Sequence, residues 1–307
     1  ILNITHFKNI LVIFIIFNIN NLVISDSSFI KEFNIDYTHS LSLLNGNFFL
    51  IHKNGVKVYN YNFTSLLYDY YFEGETLIPS SDLNNYVHII QCPDDANQYV
   101  LVLIYNNIYV FSSRGQYLFK VQNTQLFSDF SEEELYFKYR IFSFLYYKYE
   151  GNKYYFIVSY INGQKKIKLI KFEIDMYNHS FLIINNYLYE TENLISDSVG
   201  CNIINSEIFP EKLSCFYAIR NDYRNTFAFS IFDPENNFKL LNETEAVTKD
   251  GINENMLIKS SIGEDKKKQI IAYIMKSGST IKYFVYDFNS SEYIEQYYSI
   301  GCLTATI

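Results

Sequence analysis

The sequence lacks tryptophan and is poor in proline, glycine and cysteine. Its 307 residues include no Trp, 4 Pro, 11 Gly and 4 Cys. So few Pro and Gly residues exclude a collagen-like or low-complexity chain. The cysteines and the 5 histidines lie too far apart in sequence to form the paired ligand motifs of common zinc modules. We therefore predict no metal ligands.

The chain also lacks the motifs of common catalytic and nucleotide-binding sites. It has no G-x-S-x-G nucleophile motif, no glycine-rich phosphate loop and no calcium loop. The carboxylate pairs Asp94-Asp95 and Glu132–Glu134 are the types of residue that glycosidases use, although aspartates are also ordinary turn residues. We predict no catalytic and no cofactor-binding residues. The sequence does not decide whether the protein is an enzyme, but the lack of these motifs favours a protein without catalytic activity.

Aromatic and aliphatic residues are abundant instead. The chain is 49% hydrophobic and 19% aromatic, with 30 Tyr and 27 Phe. This composition is too apolar for a disordered chain, and it favours half-buried β-strands. The formal net charge of −8 comes from 25 basic and 33 acidic residues, which argues against nucleic acid as a partner.

The N-terminal segment resembles a secretory signal peptide. The apolar run Ile10–Phe17 follows His6 and Lys8, and the small residues Ser25–Ser28 come after it. Asparagines interrupt the segment before it reaches the ~20 apolar residues of a spanning helix. We predict that residues 1–25 are a signal peptide or signal anchor, with a buried β-strand as the alternative, and that residues 26–307 form the folded domain.

Secretion would place the cysteines in an oxidising compartment and make glycosylation sequons meaningful. Four N-x-S/T sequons follow the signal-like segment, each at the end of a strand-like run. The predicted glycosylation sites are Asn62, Asn178, Asn242 and Asn289. We therefore expect the protein to be secreted or held on the extracellular side of a membrane, with membrane contact either through the N-terminal apolar segment or through a region beyond Ile307.

Strand-like runs bounded by Asn, Asp, Gly and Ser dominate the rest of the chain. They fall into five groups of four, and the second runs of the groups begin at Phe48, Tyr99, Tyr154, Leu213 and Gln269. Asn45-Gly46, Asn54-Gly55 and Asn162-Gly163 are predicted hairpin turns. Residues 131–136 predict a short helix or loop insertion, and Ile300–Ile307 resembles the first strand of a sixth group.

A four-stranded unit that recurs at intervals of roughly 50 to 60 residues resembles the blade of a β-propeller. The resemblance covers about Ser27 to Ile307 and rests on spacing and pattern; without Trp there is no WD dipeptide, and no specific family follows. It implies an all-β, β-propeller-like fold with about five four-stranded blades plus the start of a sixth, and a domain that continues past Ile307. The alternative fold is a pair of β-sandwich domains with a boundary near Glu190–Ser198.

Two cysteines fall on adjacent strands of the fourth group. Cys201 is in the first run and Cys215 in the second, and paired residues of antiparallel neighbours lie within disulfide range. We predict a Cys201–Cys215 disulfide; two buried thiols are the alternative. Cys92 and Cys302 lie in the first runs of the second and sixth groups, and they could pair only if those strands meet.

Three functions are compatible with these features. The first is a non-enzymatic extracellular or membrane-associated scaffold that binds proteins or glycans. The second is an extracellular glycan hydrolase with carboxylates at a central pocket, and the third is a structural segment of a larger surface protein. Tyrosines on outer strands, such as Tyr68, Tyr70 and Tyr71, suit a binding surface, but such residues more often cover a neighbouring element.

Overall fold

A computed structural model gives the fold, and it describes a defined set of residues. These are residues 37–42, 47–52, 55–60, 65–72, 87–92, 99–104, 107–122, 124–128, 143–162, 166–191, 194, 199–221, 224–246, 256–262, 266–275, 280–290 and 292–301. The chain forms two compact units, Ile1–Gln125 and Leu126–Thr306, which we call unit 1 and unit 2.

Unit 1 contains two four-stranded antiparallel sheets, called blades 1 and 2. In both, each strand pairs with the strand that follows it in the chain. Blade 1 consists of β1 (Tyr37–Ser42), β2 (Phe48–His52), β3 (Gly55–Tyr59) and β4 (Leu66–Tyr71). Blade 2 consists of β5 (Val87–Cys92), β6 (Tyr99–Ile104), β7 (Asn107–Ser112) and β8 (Tyr117–Val121).

Unit 2 contains three sheets of the same topology, blades 3 to 5. Blade 3 consists of β9 (Ser143–Glu150), β10 (Lys153–Ile161), β11 (Lys166–Asp175) and β12 (Ser180–Glu190). Blade 4 consists of β13 (Gly200–Ile204), β14 (Lys212–Asn221), β15 (Arg224–Asp233) and β16 (Lys239–Ala246). Blade 5 consists of β17 (Met256–Ile262), β18 (Lys268–Met275), β19 (Thr280–Asp287) and β20 (Glu292–Gly301).

The all-β, propeller-like fold class is therefore confirmed, with five four-stranded blades among the described residues. The first strands of successive blades contact each other within each unit, β1 with β5 and then β9 with β13 and β13 with β17. Ile300 and Gly301 belong to the last strand of blade 5, whereas the sequence places them in a sixth group. The boundary between the compact units lies at Gln125, so it does not coincide with the 190–198 boundary of the sandwich alternative.

The core of unit 1 is aromatic and β-branched. Tyr70 of blade 1 stacks on Tyr117 of blade 2 with ring centroids 4.4 Å apart, and Phe72 lies 4.6 Å from Tyr109. The turn before β8 requires Gly115, because φ is +94° and a Cβ atom there would lie 2.5 Å from a methyl group of Val58. Strand runs rich in Tyr, Phe and Val thus bury their alternate residues between the two blades.

The core of unit 2 forms two clusters between successive blades. One joins blades 3 and 4 through residues such as Leu169, Leu213 and Phe232. The other joins blades 4 and 5, where the rings of Phe229 and Tyr286 stack at 4.3 Å. Each blade therefore covers the apolar face of the next blade in its unit.

The outer strands of blades 1 to 4 share a departure from regular pairing. In each, the register between the third and fourth strand shifts by one residue, which leaves one extra residue in the fourth strand. The extra residues are Leu67, Leu118, Ile184 and Leu241, all exposed. Bulges bend an outer strand and hinder edge-to-edge association, so this feature protects the free edges of the blades.

Several expectations concern residues outside the described ranges. These are the signal-like segment 1–25, the glycosylation site Asn62, the carboxylates Asp94-Asp95 and Glu132–Glu134, the predicted helix at 131–136, and Cys302. Among the residues that the structure places, no helix is long and apolar enough to cross a membrane.

Candidate functional site

In each blade of unit 2, a lysine and an aspartate lie opposite each other where the third strand ends and the turn to the fourth strand begins. Lys212 Nζ lies 3.0 Å from Asp233 Oδ1, and Lys268 Nζ lies 3.6 Å from Asp287 Oδ2. In blade 3, Lys153 lies opposite Asp175 in the same register position, but its ion pair, at 2.8 Å, is with Glu173. In each pair the lysine begins the second strand and the aspartate ends the third.

The aspartate of each pair also closes the turn that follows it. Asp175 Oδ1 accepts the backbone N–H groups of Tyr177 and Asn178, both at 2.9 Å. Hydrogen bonds from the Asn178 backbone and side chain lower the pKa of Asp175. Asp233 and Asp287 accept backbone N–H groups two residues ahead in the same way. These Asx-type turns fix where the following residues point.

The turn after Asp233 carries Glu235 into a cluster on blade 3. Glu235 forms ion pairs of 3.0 Å with both Lys148 and Lys171. Both ammonium groups lie over the rings of Tyr147 and Tyr155, at 5.1 to 5.7 Å from the ring centroids. We call these five residues the Glu235 cluster. It joins β9, β10 and β11 of blade 3 to the turn that follows β15 of blade 4.

A register shift in β9 explains why neighbouring residues both enter this cluster. Tyr155 pairs with Lys148, but Phe156 pairs with Tyr146, so Tyr147 is an extra residue in β9. Successive side chains of a regular strand point to opposite faces. The bulge removes that alternation locally and lets Tyr147 and Lys148 approach Glu235 together.

The ionisation of the Glu235 cluster makes it unsuited to proton transfer near neutral pH. Partial burial acts to raise the pKa of Glu235, but hydrogen bonds from Lys148, Lys171 and Tyr147 outweigh it and hold the pKa at about 2. A hydrogen bond to Glu150 raises the pKa of Lys148. Burial, reinforced by Glu235, raises the pKa of Tyr147. Because general acids and bases work best with a pKa near the operating pH, we interpret the cluster as an electrostatic link between blades 3 and 4.

A second polar cluster joins the outer parts of the same two blades. Glu243 Oε1 accepts hydrogen bonds from the hydroxyl groups of Tyr189 at 2.8 Å and Tyr217 at 2.7 Å. Ser230 Oγ lies 2.6 Å from the Tyr217 hydroxyl and 3.3 Å from the same carboxylate oxygen. Burial raises the pKa values of both tyrosines, so they remain hydroxyl donors.

Small polar residues link the first strands of blades 3 and 4. Ser143 Oγ of β9 accepts the N–H of Cys201 and donates to the carbonyl of Val199, both at 3.0 Å. The hydroxyl thus bridges two backbone groups that begin blade 4. This bond satisfies polar groups that burial would otherwise leave without partners.

A similar link joins blades 4 and 5. Asn202 Nδ2 donates to Ser260 Oγ at 2.6 Å, and Ser214 Oγ donates to the buried Gln269 Oε1 at 2.8 Å. A Cβ atom at position 200 would lie 2.8 Å from Ser260 Oγ, so a side chain there would require Ser260 to shift.

The predicted disulfide is present in the structure. Cys201 and Cys215 occupy directly paired positions of β13 and β14, with Cα atoms 4.1 Å apart, and their sulfur atoms are bonded. Both residues are buried. Cys92 is buried in β5, which is the first strand of blade 2.

The three glycosylation sites that the structure describes are all exposed. Asn178 and Asn289 lie in the turns that Asp175 and Asp287 close. Asn178 Nδ2 donates to Asp175 Oδ2 at 2.8 Å. Asn242 lies in the outer strand β16, and its Nδ2 donates to Oγ1 of Thr244, the third residue of the sequon, at 3.3 Å. Their accessibility is compatible with modification, which stays a prediction.

Among the described residues, no group of three or more His, Cys, Asp and Glu side chains is arranged to hold a metal ion.

The tyrosines of the outer strand β4 differ in exposure and in what they contact. Tyr68 and Tyr71 of β4 are exposed, whereas Tyr70 packs against blade 2. Tyr70 thus covers a neighbouring blade, as outer-strand aromatics commonly do.

The sequence did not predict the Lys–Asp pairs, the Glu235 cluster or the hydrogen bonds of Tyr189 and Tyr217 to Glu243. A signal for the pairs was present, because a lysine begins the second strand and an aspartate ends the third strand in blades 3, 4 and 5. The Glu235 cluster had no such signal. It depends on a bulge at Tyr147 and on contact between blades, and neither follows from a linear pattern.

No protein-family model and no curated protein matches the chain. Similar solved structures include the WD40 domain of SCAP from fission yeast, with 12% identity, 84% of this chain and 75% of that chain covered, and a TM-score of 0.35.

Two further solved structures are similar to a comparable extent. The Dos1 propeller has 13% identity, 91% and 70% coverage, and a TM-score of 0.44. A functionally unknown protein from Desulfotomaculum acetoxidans has 11% identity, 92% and 76% coverage, and a TM-score of 0.49. Because these scores are low, the propeller-like class rests on the four-stranded repeat of the chain itself.

Proposed function

We propose that the protein is a non-enzymatic β-propeller scaffold of an oxidising, extracytoplasmic compartment that binds protein or glycan ligands. The observation that carries the proposal is the buried disulfide between Cys201 and Cys215. Structural disulfides persist in secreted and surface proteins and are rare in reducing compartments. The exposed sequons at Asn178, Asn242 and Asn289 support the same location.

The non-enzymatic part of the proposal is supported by how the polar groups of unit 2 are used. The carboxylates of Glu235 and Glu243 are bound to lysine or tyrosine side chains of neighbouring strands. The pKa of Glu235 lies far below neutrality, so this carboxyl group does not donate a proton there. These groups hold blades together, which is the role of a scaffold.

Expression of the full chain behind an initiating methionine in a eukaryotic secretory host tests the location. We expect glycosylated protein in the lumen or the medium and a Cys201–Cys215 peptide in non-reducing peptide mapping. Substitution Thr244→Ala removes the Asn242 sequon and Ser180→Ala removes the Asn178 sequon. Each should reduce the mass lost on enzymatic deglycosylation by one glycan.

The matched control is a Cys201→Ala/Cys215→Ala variant, which lacks the disulfide peptide and keeps the sequons. A cytosolic, unglycosylated protein whose Cys201 and Cys215 are both alkylated before reduction would contradict the proposed compartment. Release of reducing sugar from polysaccharides by the purified protein would contradict the non-enzymatic assignment and favour a glycan hydrolase.

A further inference from the structure

Two of the three most exposed large apolar side chains among the described residues lie beside glycosylation sequons. Tyr177 is 78% exposed and Ile208 is 58% exposed. Tyr177 directly precedes the sequon asparagine Asn178 in the chain. Single exposed apolar residues are ordinary on protein surfaces, so the informative feature is their position beside the sequons rather than the exposure alone.

Ile208 is far from every sequon in the sequence, and the fold brings it next to one. It lies in the turn between β13 and β14, where the backbone N–H of its neighbour Glu207 donates to Asn289 Oδ1 at 3.3 Å. These two residues are 82 positions apart. The bond uses the amide oxygen of Asn289 and fixes this asparagine beside the Ile208 turn, and Nδ2 of the same amide is the atom that takes a glycan.

The turn after Asp175 fixes Asn178 beside Tyr177 in a similar way. Asp175 Oδ1 accepts the backbone N–H groups of both residues, and Asp175 Oδ2 accepts Asn178 Nδ2 at 2.8 Å. Glycosylation replaces one of the two hydrogens on Nδ2, so the other hydrogen can still donate to Asp175. A sugar at Asn178 therefore starts from a turn that is already closed, next to the exposed Tyr177 ring.

Both sequons lie on one edge of unit 2. Because the strands of a blade alternate in direction, the turn between its first two strands and the turn between its last two lie at the same edge of the sheet. The bond from Glu207 to Asn289 joins these turn edges in blades 4 and 5. The ion pair of Lys148 with Glu235 joins them in blades 3 and 4. The turns of the three blades therefore form one side of unit 2.

We propose that N-linked glycans at Asn178 and Asn289 pack on this edge of unit 2 and cover its exposed apolar side chains. The glycan of Asn178 lies over Tyr177, and the glycan of Asn289 lies over Ile208. The faces of sugar rings carry C–H groups, which contact aliphatic side chains and the negative face of an aromatic ring favourably. The inference rests on the extracytoplasmic compartment of the proposed function, and it directs the ligands of the scaffold to surfaces other than this edge.

The modification is a transfer from a lipid-linked oligosaccharide pyrophosphate of the secretory compartment. Nδ2 of the asparagine forms a bond to C1 of the first sugar, the bond from C1 to the pyrophosphate oxygen breaks, and one Nδ2 proton is lost. The cover forms when this sugar and those that follow it settle on the neighbouring side chain.

Hydroxyl-radical footprinting of the glycosylated full chain from a secretory host tests the contact, since the oxidation rate of a side chain follows its exposed area. Ser180→Ala removes the sequon of Asn178, and Ser291→Ala removes the sequon of Asn289, while both asparagines stay in place. Oxidation of Tyr177 should be at least about twofold faster in Ser180→Ala than in the wild type, because a sugar over one face of the ring hides about half of its area. Oxidation of Ile208 should rise by a similar factor in Ser291→Ala.

Each variant is the matched control for the other. Ser180→Ala should leave the oxidation rate of Ile208 unchanged, and Ser291→Ala should leave that of Tyr177 unchanged. Tyr71 of unit 1, which is 52% exposed, should be oxidised at the same rate in all three proteins. Far-UV circular dichroism and the intact Cys201–Cys215 peptide establish that each variant is folded.

Peptide mapping of glycan occupancy separates the two ways in which the proposal can fail. If both asparagines carry glycans and neither Tyr177 nor Ile208 changes its oxidation rate, the cover is excluded while the proposed compartment stands. If neither Asn178 nor Asn289 is glycosylated in the secretory host, the compartment and the cover are both contradicted. An equal rise at Tyr71 would mean that loss of a glycan loosens the whole fold, which would also exclude a local cover.

Discussion

In unit 1 the two blades meet through aromatic rings, whereas unit 2 adds hydroxyl, amide and charged groups to its aromatic contacts. Tyr70 and Phe72 of blade 1 pack on the rings of blade 2, and the ion pair Lys57–Asp69 lies within one sheet. In unit 2, the Glu235 cluster and the Ser143 and Asn202 links cross from blade to blade.

The difference shows that one strand topology accommodates two ways of joining blades. The free energy gained by apolar packing is proportional to the buried area and has little directional preference. Hydrogen bonds and ion pairs have strict geometry, and a lost partner leaves a costly unpaired group. Substitutions at the polar links of unit 2 should therefore make its stability depend on pH and on single polar groups, whereas substitutions in the aromatic core of unit 1 should act through changes of volume.

The largest expected effect is on the aromatic core of unit 1. Phe111 is fully buried and contacts Phe49, Tyr70 and Tyr117. Phe111→Ala should lower the free energy of unfolding by about 3–5 kcal/mol, because it leaves a cavity that the blades do not fill. Chemical denaturation measures the loss, and hydrogen exchange should show faster opening in peptides of unit 1.

The exposed Leu118 on the next strand provides the control for this prediction. Leu118→Ala should change the free energy of unfolding by less than about 0.5 kcal/mol. If hydrogen exchange in unit 2 accelerates as much as in unit 1, the two units unfold together. Separate free energies of unfolding could then not be assigned to them.

Removal of the disulfide should have the next largest effect, now in unit 2. The bridge spans a sequence separation of 14 residues, and closing a loop of this size contributes about 3 kcal/mol. Cys201→Ala/Cys215→Ala should lower the free energy of unfolding by about that amount. The measurement is a denaturant titration with and without reductant.

Reductant provides the matched comparison for the disulfide. It should lower the denaturation midpoint of the wild-type protein to that of the double variant and leave the variant unchanged. A wild-type midpoint that is insensitive to full reduction would mean that the bridge does not stabilise blade 4.

The smallest predicted effect concerns the Glu235 cluster and depends on pH. Glu235→Gln leaves Lys148 and Lys171 without their shared carboxylate and should cost about 1–2 kcal/mol at pH 7; the loss is moderate because the Glu235 side chain is 48% exposed. The pKa of Glu235 is about 2 in the folded protein, below its ordinary 4.5. Its stabilising contribution is therefore present above pH 4.5 and lost as the pH falls towards 2.

Denaturation at a series of pH values tests this sign. The difference between wild type and Glu235→Gln should be largest near neutrality and should shrink as the solution is acidified from about pH 5 to pH 2. Glu190→Gln is the matched control, since the exposed Glu190 pairs with Lys166 outside the Glu235 cluster, and it should cost less than about 0.5 kcal/mol. A difference that grows on acidification would contradict the cause assigned to the shift.

Much of the sheet architecture could be predicted because it is local. The predicted run Val87–Cys92 is strand β5, and Gly200–Ile204 is strand β13. Alternation of apolar and polar residues between turn-forming residues suffices for such elements. The Cys201–Cys215 disulfide could be predicted for the same reason, since the two cysteines fall on adjacent strands of one hairpin.

The contacts between blades could not be predicted, because they join residues far apart in sequence. Lys171 and Glu235 are separated by 64 positions, and the β9 bulge at Tyr147 determines which side chains face Glu235. A bulge reverses the facing of every later residue in its strand. A pattern based on strict alternation therefore fails at the positions where the clusters form.

The order of strands within each blade has a consequence for how the chain folds. Every ladder in the described sheets joins strands that are consecutive in the chain, so their contacts have low sequence separation and form quickly. The pairing of strands within a blade therefore needs no strand from another blade. The Cys201–Cys215 loop closes within one hairpin, and short loops close at the lowest entropic cost. Correct oxidation of this pair therefore does not need to wait for the rest of the protein.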